Sequence, residues 1–458
     1  MKIFLKRTFR VILVLLLLVV SLIWKIDRTP FDGSEIHQEM RQQLASFQTA
    51  VSENDSLFSV GWAKENITPN FPVTLVGYRP RGPHQSVHDS LFVRTMLFEN
   101  SSQEYAIIAI DLLLFPPHLK KKLAERLPEI GFKIEQTYFS ATHTHTSFGG
   151  WDNSLAGGFI TGKYNENIVN LLCDKIISSI QKARKNTEKA EIGFTKIAAP
   201  EYVRNRINPH NGTVDTWLRV IKVKKQSGKV GLITTYAAHS THISKKWLIL
   251  SGDYPTALHN SLEQNNKVDF SLFCSGMVGS HTSKEIPDGF ESIADFGQKL
   301  ANKILPQLDN ISLSKPKGMG LQHLPILLPK SQLRIDDELK VRDWVFSALM
   351  GKLDADITVF RLGNILLLGM PCDFSGEISV DSNFDALAKN QGLDLMISSF
   401  NGKYIGYITA DKNYDTQKKE EVRALNWVGP EKGKYFVEIV ESIILKEKGQ
   451  KFDKIEQN

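Results

Sequence analysis

The sequence predicts an α/β fold in which layered mixed β-sheets are covered by helices, behind an N-terminal membrane-anchor helix. Short apolar runs bounded by turn residues are typical of buried strands, and they occupy residues 105–115, 136–144, 231–239, 270–276, 357–370 and 393–400. Apolar residues at helical spacing lie in the segments 118–128, 164–184, 254–264, 287–305, 376–391 and 431–446. Strands that alternate with helices favour this fold over an all-α or all-β fold.

Residues 1–30 predict a signal anchor or a signal peptide. Four basic residues in the first ten precede an uncharged apolar run over residues 11–24, which is shorter than the roughly 20 residues that span a bilayer comfortably. No small-x-small cleavage pattern follows the run, so an uncleaved anchor is favoured. With the basic residues kept inside, the rest of the chain is expected on the exported side, periplasmic or extracellular, and secreted if the segment is cleaved.

The remainder of the chain divides into three parts. Residues 31–56 predict a stalk or first helix, residues 57–448 a single globular domain, and residues 449–458 a polar tail. Within the domain, residues 307–335 mix Pro, Gly and Lys, which predicts a long connection or an excursion beside the sheet.

Composition excludes some classes of protein. The chain has 458 residues, of which 42% are hydrophobic and 23% charged, and this balance is typical of a folded globular protein. The net charge of +6 is modest, and no Lys/Arg block with interleaved aromatics occurs, so no nucleic-acid partner is expected. Cys173, Cys274 and Cys372 form no CxxC pair; a packing role is favoured, although one pair could be bridged in an oxidising compartment.

The most informative stretch is "FSATHTHTSFGG", residues 139–150. If it ends a strand, His143 and His145 point to the same side, because side chains two apart share a face. They then offer a cation such as zinc two nitrogen ligands, or one ligand with a proton donor beside it; a polar pair unrelated to a metal is the alternative. His239 ends a second apolar run in "TYAAHSTH". Ligands gather at the carboxyl ends of strands in α/β folds, so the two histidine sites together predict a metal centre.

Several other polar residues have competing interpretations. Asp253 either caps a helix or takes part in the site, and His242 is expected at the surface. Asp111 either orients a ligand histidine or caps the turn after its strand. His281 either supports the site or is exposed, and Tyr404 is expected to be a packing or rim residue.

These residues resemble the neutral/alkaline non-lysosomal ceramidase family, zinc amidases that cleave the acyl amide of ceramide. The resemblance runs from "VGWAKENITP" and "LVGY" in residues 60–78 to "NWVGPEKG" in residues 426–433. Its most specific piece is "SATHTHTSFGG", which is similar to the family's "THTHSGPGG". The resemblance implies that residues 57–448 form a ceramidase-like catalytic domain, with Zn²⁺ as cofactor and a lipid substrate at a membrane.

The resemblance also implies a ligand set. His143 and His239, the latter in "AAHS", correspond to the family's zinc histidines. Asp373 in "GMPCDF" stands where the family has a glutamate, and Tyr407 in "KYIGYIT" corresponds to its tyrosine ligand. Zinc would then lower the pKa of a bound water and polarise the amide carbonyl.

Further positions correspond to the family's substrate site. His145, Arg206 and Gly77 match residues that contact the substrate, and we expect His145 and Arg206 to stabilise the oxyanion or protonate the leaving amine. Ser280 in "GMVGSHTS" is the match of a serine discussed as catalytic; we expect it to orient the substrate and do not assign it as a nucleophile. Lys419 falls where the family has a substrate-site tyrosine.

The departures from the family pattern keep alternative functions open. Three of them are Asp373, Lys419 and the loop of Ser280. The fourth is the family's immunoglobulin-like carboxyl domain, for which no counterpart is expected. These departures bear on ceramide specificity more than on hydrolysis. The first hypothesis is a zinc-dependent hydrolase of ceramide or a related N-acyl lipid at the exported membrane face. A metal-dependent esterase or phosphoesterase and a non-catalytic lipid-binding relative are the alternatives.

Overall fold

Two stacked sheets with helices on their outer faces form the core of the protein. The structure is a computed structural model that describes residues 2–51, 58–284 and 287–447. The described helices are α1 (Lys2–Leu22), α2 (Glu35–Ser46), α3 (Pro117–Arg126), α4 (Gly157–Ile160), α5 (Glu166–Arg184), α6 (Asp253–Glu263), α7 (Phe290–Ile304), α8 (Asp343–Met350), α9 (Gly376–Asp381), α10 (Phe384–Asn390) and α11 (Lys432–Lys446).

The strands follow the same chain order. They are β1 (Ile23–Lys25), β2 (Ser59–Asn66), β3 (Ser86–Val87), β4 (Phe92–Glu99), β5 (Glu104–Ile110), β6 (Thr137–Ala141), β7 (Glu188–Ala198), β8 (Val203–Asn205), β9 (Trp217–Lys225), β10 (Val230–Tyr236), β11 (Ile249–Leu250), β12 (Phe270–Ser275), β13 (His281–Ser283), β14 (Met319–Ile326), β15 (Leu339–Val341), β16 (Ala355–Leu362), β17 (Ile365–Gly369), β18 (Asp373–Phe374), β19 (Asp394–Ser398) and β20 (Tyr407–Ile408).

The larger sheet has eight strands in the order β12-β10-β9-β7-β2-β4-β5-β6. Its central pairs are antiparallel, whereas β10 with β12 and β5 with β6 are parallel. The edge strands β6 and β12 contact each other, so the sheet curls until its two edges meet. The carboxyl ends of the two parallel pairs are thereby brought to one place.

The smaller sheet has the order β14-β16-β17-β19 and packs face to face on the larger one. Phe360 on β16 is fully buried, with its ring centroid 5.7 Å from that of Phe98 and 5.6 Å from that of Tyr105. The hydroxyls of Tyr138 on β6 and Ser398 on β19 are 2.7 Å apart. Apolar side chains between the sheets, together with this polar contact, fix the smaller sheet against the larger.

Helices cover the outer faces of both sheets. Helices α3 and α5 pack on one part of the larger sheet and α6 and α7 on another, while α2, α10 and α11 cover the smaller sheet. Helix α2 buries Met40 and Leu44 in this core, and its His37 and Arg41 both bind Glu438 on α11. The predicted first helix therefore belongs to the packed domain.

The predicted strands and helices agree with the structure in type, and the boundaries differ by a few residues. The run 357–370 is two strands, β16 and β17, joined by a turn at Gly363, and the segment 376–391 is two helices, α9 and α10. The connection predicted at 307–335 is wrong in part, because it contains β14, an edge strand that tolerates Pro325. The long antiparallel strands β7 and β9 are not predicted, because polar residues interrupt their apolar residues.

The membrane-anchor helix predicted at the N-terminus is not found among the described residues. None of the helices in the described part of the chain is long and apolar enough to cross a membrane. Helix α1 carries basic residues in its first half, and its uncharged part runs from Val11 to Leu22. The chain then turns into β1, which pairs with β15.

The cysteines behave as predicted from their apolar surroundings. Cys173, Cys274 and Cys372 are all buried and free.

The contact between the sheets gives a test of the fold. We expect Phe360→Ala to lower the free energy of unfolding by about 3–5 kcal/mol, because it opens a cavity at a fully buried ring position. Phe159→Ala, at a side chain that is 82% exposed, is the control and should change it by less than about 0.5 kcal/mol. Urea unfolding followed by circular dichroism measures both, and equal effects would contradict this packing.

Candidate metal centre

Polar side chains that follow strands of both sheets form one buried cluster. His143 lies two residues after β6, His239 three residues after β10, and Asp373 and Tyr407 lie opposite each other in the short parallel bridge of β18 and β20. His143 has a φ of 60°, a left-handed conformation that bulky residues seldom adopt. Such strain persists where surrounding structure enforces it, and it is often found at functional sites.

The three histidines meet through their Nε2 atoms. The Nε2 of His143 is 2.8 Å from that of His239 and 3.3 Å from that of His145, and the Nε2 atoms of His145 and His239 are 3.0 Å apart. Each neutral imidazole carries one proton for two nitrogens, so three converging Nε2 atoms cannot all be satisfied by one another. Tetrahedral zinc with bonds of about 2.0–2.1 Å would separate its ligand atoms by roughly 3.3 Å. The residues present therefore fit a metal ion, and these three form the candidate ligand group among the described residues.

Backbone carbonyls orient two of the rings. The Nδ1 of His143 faces the carbonyl oxygen of Leu113, and the Nδ1 of His239 lies 3.4 Å from the carbonyl oxygen of Val278. A ring that donates its Nδ1 proton to a carbonyl keeps the lone pair of Nε2 free for a cation. Burial also lowers the pKa of His143 to about 3, and the pKa values of His145 and His239 lie well below the ordinary value for the same reason. All three rings are thus uncharged at neutral pH.

Asp373 adds a carboxylate to the cluster, where it is the predicted oxygen ligand. The residue is fully buried, and its Oδ1 lies 3.4 Å from the Nε2 of His143 without a hydrogen-bond partner in the part of the chain that is described. Its Oδ2 accepts a hydrogen bond of 2.8 Å from the hydroxyl of Tyr404. Burial raises the pKa of Asp373 to about 7, although the bond from Tyr404 opposes the shift. A buried carboxylate oxygen without a partner beside three imidazoles is what a cation would satisfy.

Tyr407 and Arg206 lie on the other side of the carboxylate. The Nη2 of Arg206 donates to the hydroxyl of Tyr407 at 3.2 Å, and its Nη1 forms an ion pair of 2.9 Å with Glu421. Burial, and next the negative charge of Asp373, raise the pKa of Tyr407 well above its ordinary value. The guanidinium is held in place by these contacts, with its positive charge next to the cluster.

The turn at Gly77 closes the site beside His145. Gly77 has a φ of 105°, and a Cβ there would lie 2.5 Å from the Cα of His145, so the close approach needs glycine. The ring of Tyr78 packs 5.0 Å from the ring of His145, and the Nη2 of Arg81 donates to the carbonyl of His145 at 2.6 Å. Both the ring and the backbone of His145 are therefore fixed.

The structure places Ser280 and Lys419 differently from the other predicted residues. The hydroxyl of Ser280 is fully buried and bonded to Ser375, to the backbone N–H of Glu377 and to His281, which favours a role in positioning the chain. Lys419 is exposed and begins the turn that carries Glu421. The remaining predicted site residues, His143, His145, His239, Asp373, Tyr407, Arg206 and Gly77, come together, and the division of roles between His143 and His145 stays a prediction.

Three of the competing interpretations are decided by hydrogen bonds. His242 is buried, which corrects the expectation of a surface residue: its Nδ1 is 2.8 Å from Asp253, because the chain turns inward after His239. His281 is buried too, and its Nε2 accepts from the backbone N–H of Asp215. Asp111 accepts from the backbone N–H of Phe92 at 2.8 Å and so ties two strands together.

Two residues of the site were missed. Tyr404 was expected at the rim, yet it orients Asp373, and its only sequence signal is its position three residues before Tyr407. Glu421 carries no motif at all, because its pairing with Arg206 joins segments that are far apart in the chain.

Comparisons with known proteins bear on this arrangement. The family model described as neutral/alkaline non-lysosomal ceramidase, N-terminal, matches residues 58–288, just over half of the chain. Neutral ceramidase A of Dictyostelium discoideum is 25% identical over 222 residues, covering 44% of this chain and 31% of that protein. The neutral ceramidase of Mycobacterium tuberculosis is 21% identical over 193 residues, covering 36% and 29%. The matches thus span about a third of the length of these curated relatives.

Solved structures support the same assignment at the level of the fold. The crystal structure of neutral ceramidase from Pseudomonas aeruginosa is similar with a TM-score of 0.71 at 17% identity, over 87% of this chain and 76% of that one. A structure described as ceramidase complexed with C2 is similar with a TM-score of 0.70. The resemblance stated from the sequence is confirmed: the chain belongs to the neutral/alkaline non-lysosomal ceramidase family.

Proposed function

We propose that the protein is a zinc-dependent hydrolase that cleaves the amide bond of ceramide or a related N-acyl lipid. The observation that carries this proposal is the convergence of three uncharged imidazoles with the unpartnered carboxylate oxygen of Asp373. Family membership supports ceramide hydrolysis as the reaction class. In this proposal His143, His239, Asp373 and Tyr407 hold the ion, as the sequence predicts, and His145 stands on the substrate side.

The bound ion supplies two effects, polarisation of the amide carbonyl and a lowered pKa for a bound water. Side chains of the protein would stabilise the developing charge and transfer the proton. The guanidinium of Arg206 is fixed by Glu421 and Tyr407, so it can stabilise negative charge on the carbonyl oxygen without reorganising. His145 is uncharged, so in this proposal its ring accepts a proton before it passes one to the leaving amine.

Zinc binding and hydrolysis give the first test. We expect the purified protein to contain one zinc ion per chain and to hydrolyse an N-acyl sphingoid amide faster than matched ester and phosphoester substrates. His143→Ala removes a predicted ligand. We expect this variant to bind no metal and to have a kcat/KM at least a hundredfold lower. His210→Ala, at an exposed histidine, is the control. Elemental analysis and product chromatography measure both properties.

Each contrary outcome has a distinct meaning. A metal-free active protein, or full activity in His143→Ala, would refute the proposal. Preference for the ester or the phosphoester would favour the esterase or phosphoesterase alternative, and a metal-loaded protein without activity on any substrate would favour the non-catalytic relative.

Tyr404 offers a finer test of the carboxylate. Tyr404→Phe removes the hydrogen bond to Oδ2 of Asp373 and should weaken zinc affinity by about 10–100-fold, as losing the partner of a ligand commonly does. Tyr414→Phe is a matched control, because the hydroxyl of Tyr414 is buried and has no hydrogen-bond partner among the described residues. Competition with a chromogenic chelator measures the affinity, and equal affinities for the two variants would exclude an orienting role for Tyr404.

A lipid surface is the proposed partner. Exposed apolar side chains occur on two segments that contact each other, and we name them the patch: Leu155, Phe159, Ile160, Trp344 and Leu349. The backbone N–H of Ala156 donates to the carbonyl of Leu349 at 2.9 Å, which joins the two segments. Tryptophan and other apolar side chains exposed together are typical of surfaces that enter the interface of a membrane.

The patch is linked to the metal centre by a row of aromatic rings. Phe346 on α8 packs against Trp427 at 5.6 Å, and Trp427 packs against Tyr404 at 5.3 Å, the residue that binds Asp373. Packed rings thus connect the helix that carries Trp344 and Leu349 to the residue that orients Asp373. The exported location of the protein remains a prediction from its N-terminal sequence.

Vesicle binding tests the patch. We expect Phe159→Ser combined with Trp344→Ser to reduce binding to phospholipid vesicles and hydrolysis of substrate embedded in them by about tenfold or more, since two exposed apolar anchors are lost. Hydrolysis of a soluble short-chain amide should stay unchanged. Leu445→Ser, at an exposed leucine on α11, is the control. Unchanged vesicle binding, or an equal loss on the soluble amide, would contradict the role of the patch.

A further inference from the structure

A cavity lies beside the metal centre. Its lining includes Tyr78, whose ring packs against His145. Its volume is about 390 Å³, and its lining includes Tyr78, Arg204, His242, Lys245, Lys284 and Asp288. We propose that this cavity binds an anionic group, a phosphate or a carboxylate, carried by the substrate. The inference rests on the proposed function and narrows it to N-acyl amides that bear a negative charge.

The charges of the lining favour an anion. In the part of the chain that the structure describes, the side chains of Arg204, Lys245 and Lys284 form no ion pair, although all three line one cavity. Asp288, the acidic residue that lines the cavity among the described residues, is already engaged: Lys246 lies 2.8 Å away, and Ser244 and Trp247 donate hydrogen bonds to the carboxylate. Three cations with one compensated carboxylate raise the local concentration of anions.

Two residues of the cavity lining carry a buried polar atom without a partner. The Nε of Arg204 and the Nε2 of His242 are buried and unbonded among the described residues. Buried polar atoms are nearly always hydrogen-bonded, so these two atoms leave the lining unsatisfied. A guanidinium offers five N–H donors, so Arg204 can donate to an anion in the cavity through its other N–H groups.

The ring of His242 is held in place. Asp253 lies 2.8 Å from its Nδ1 and accepts from its backbone N–H at 3.0 Å, and the side chain of His242 is 0% exposed. The ring also packs against Tyr254 and Phe296. His242 therefore forms a fixed part of the cavity lining.

The cavity shares its walls with the metal centre. Tyr78 contacts His145 on one side and lines the cavity on the other, and its hydroxyl donates to the carbonyl of Ile243 at 3.0 Å. His242 lies three residues after the predicted ligand His239, and Arg204 lies two residues before Arg206. A substrate whose amide reaches the metal centre can thus place a charged group in the cavity. Uncharged ceramide leaves these cations without a partner.

Matched substrates test the proposal. We expect the wild-type protein to hydrolyse an N-acyl amide bearing a phosphate or carboxylate with a kcat/KM at least tenfold above that of its uncharged counterpart. Arg204→Met should raise KM for the charged substrate by about 10–100-fold, since a hydrogen-bonded charge is lost, and leave the uncharged one unchanged. Lys284→Ala, at an exposed position, should raise KM for the charged substrate by a smaller factor. This variant tests the proposal even if Arg204→Met does not fold. Lys229→Ala, an exposed lysine at the opposite end of β10, is the control.

Equilibrium binding separates this inference from the hydrolase itself. Titration with inorganic phosphate should give binding that Arg204→Met abolishes and that His143→Ala retains, and this readout needs no catalysis. Phosphate binding with that pattern in a protein that hydrolyses no amide would uphold the cavity and refute the proposed function. Phosphate binding without any preference for charged substrates would point to a free anion as the ligand and would overturn the link to the substrate. Equal effects of Arg204→Met on the charged and the uncharged substrate would overturn this link too.

Discussion

A deficit of positive charge at the buried cluster is the constraint on which the site depends. Three imidazoles and the carboxyl of Asp373 lie out of water, and burial keeps all three rings uncharged. An ionised carboxylate in such a place costs several kcal/mol unless it is paired. Arg206 is nearby, but Glu421 already pairs with its guanidinium. A divalent cation is the group that would let Asp373 ionise and give the converging Nε2 atoms a common partner.

The fold supplies this cluster through three parallel strand pairs, each of which provides one predicted ligand and one group that orients it. His143 follows β6, and the carbonyl of Leu113 that orients it follows the neighbouring β5. His239 follows β10, and the carbonyl of Val278 follows β12. In the smaller sheet Asp373 follows β17, and Tyr404 follows β19. Parallel pairs end on the same side, so a ligand and its orienting group leave the sheet together.

This arrangement explains how much the sequence could predict. His143 and His239 were found because each follows an apolar strand, and local pattern is enough to locate a strand end. The orienting groups were not found, since a backbone carbonyl has no sequence signature and Tyr404 differs from an ordinary packing tyrosine only by its partner. His242 was placed at the surface because a single histidine in a polar segment shows nothing of the Asp253 that buries it. The antiparallel strands β7 and β9 were missed because charged and polar residues interrupt their apolar residues, so neither forms a continuous apolar run.

The replacement of the family's glutamate by Asp373 is compatible with a metal site for a physical reason. An aspartate is one methylene shorter, so its backbone must lie closer to the ion. The backbone of Asp373 is held by its bridge to Tyr407 and by the N–H bond to the carbonyl of Gly406, and its Oδ1 reaches within 3.4 Å of His143. The residues predicted to hold the ion are thus fixed by burial and by backbone pairing, whereas two of the three cations of the neighbouring cavity sit on exposed loops. Substitutions at these two cations would therefore leave the buried cluster undisturbed.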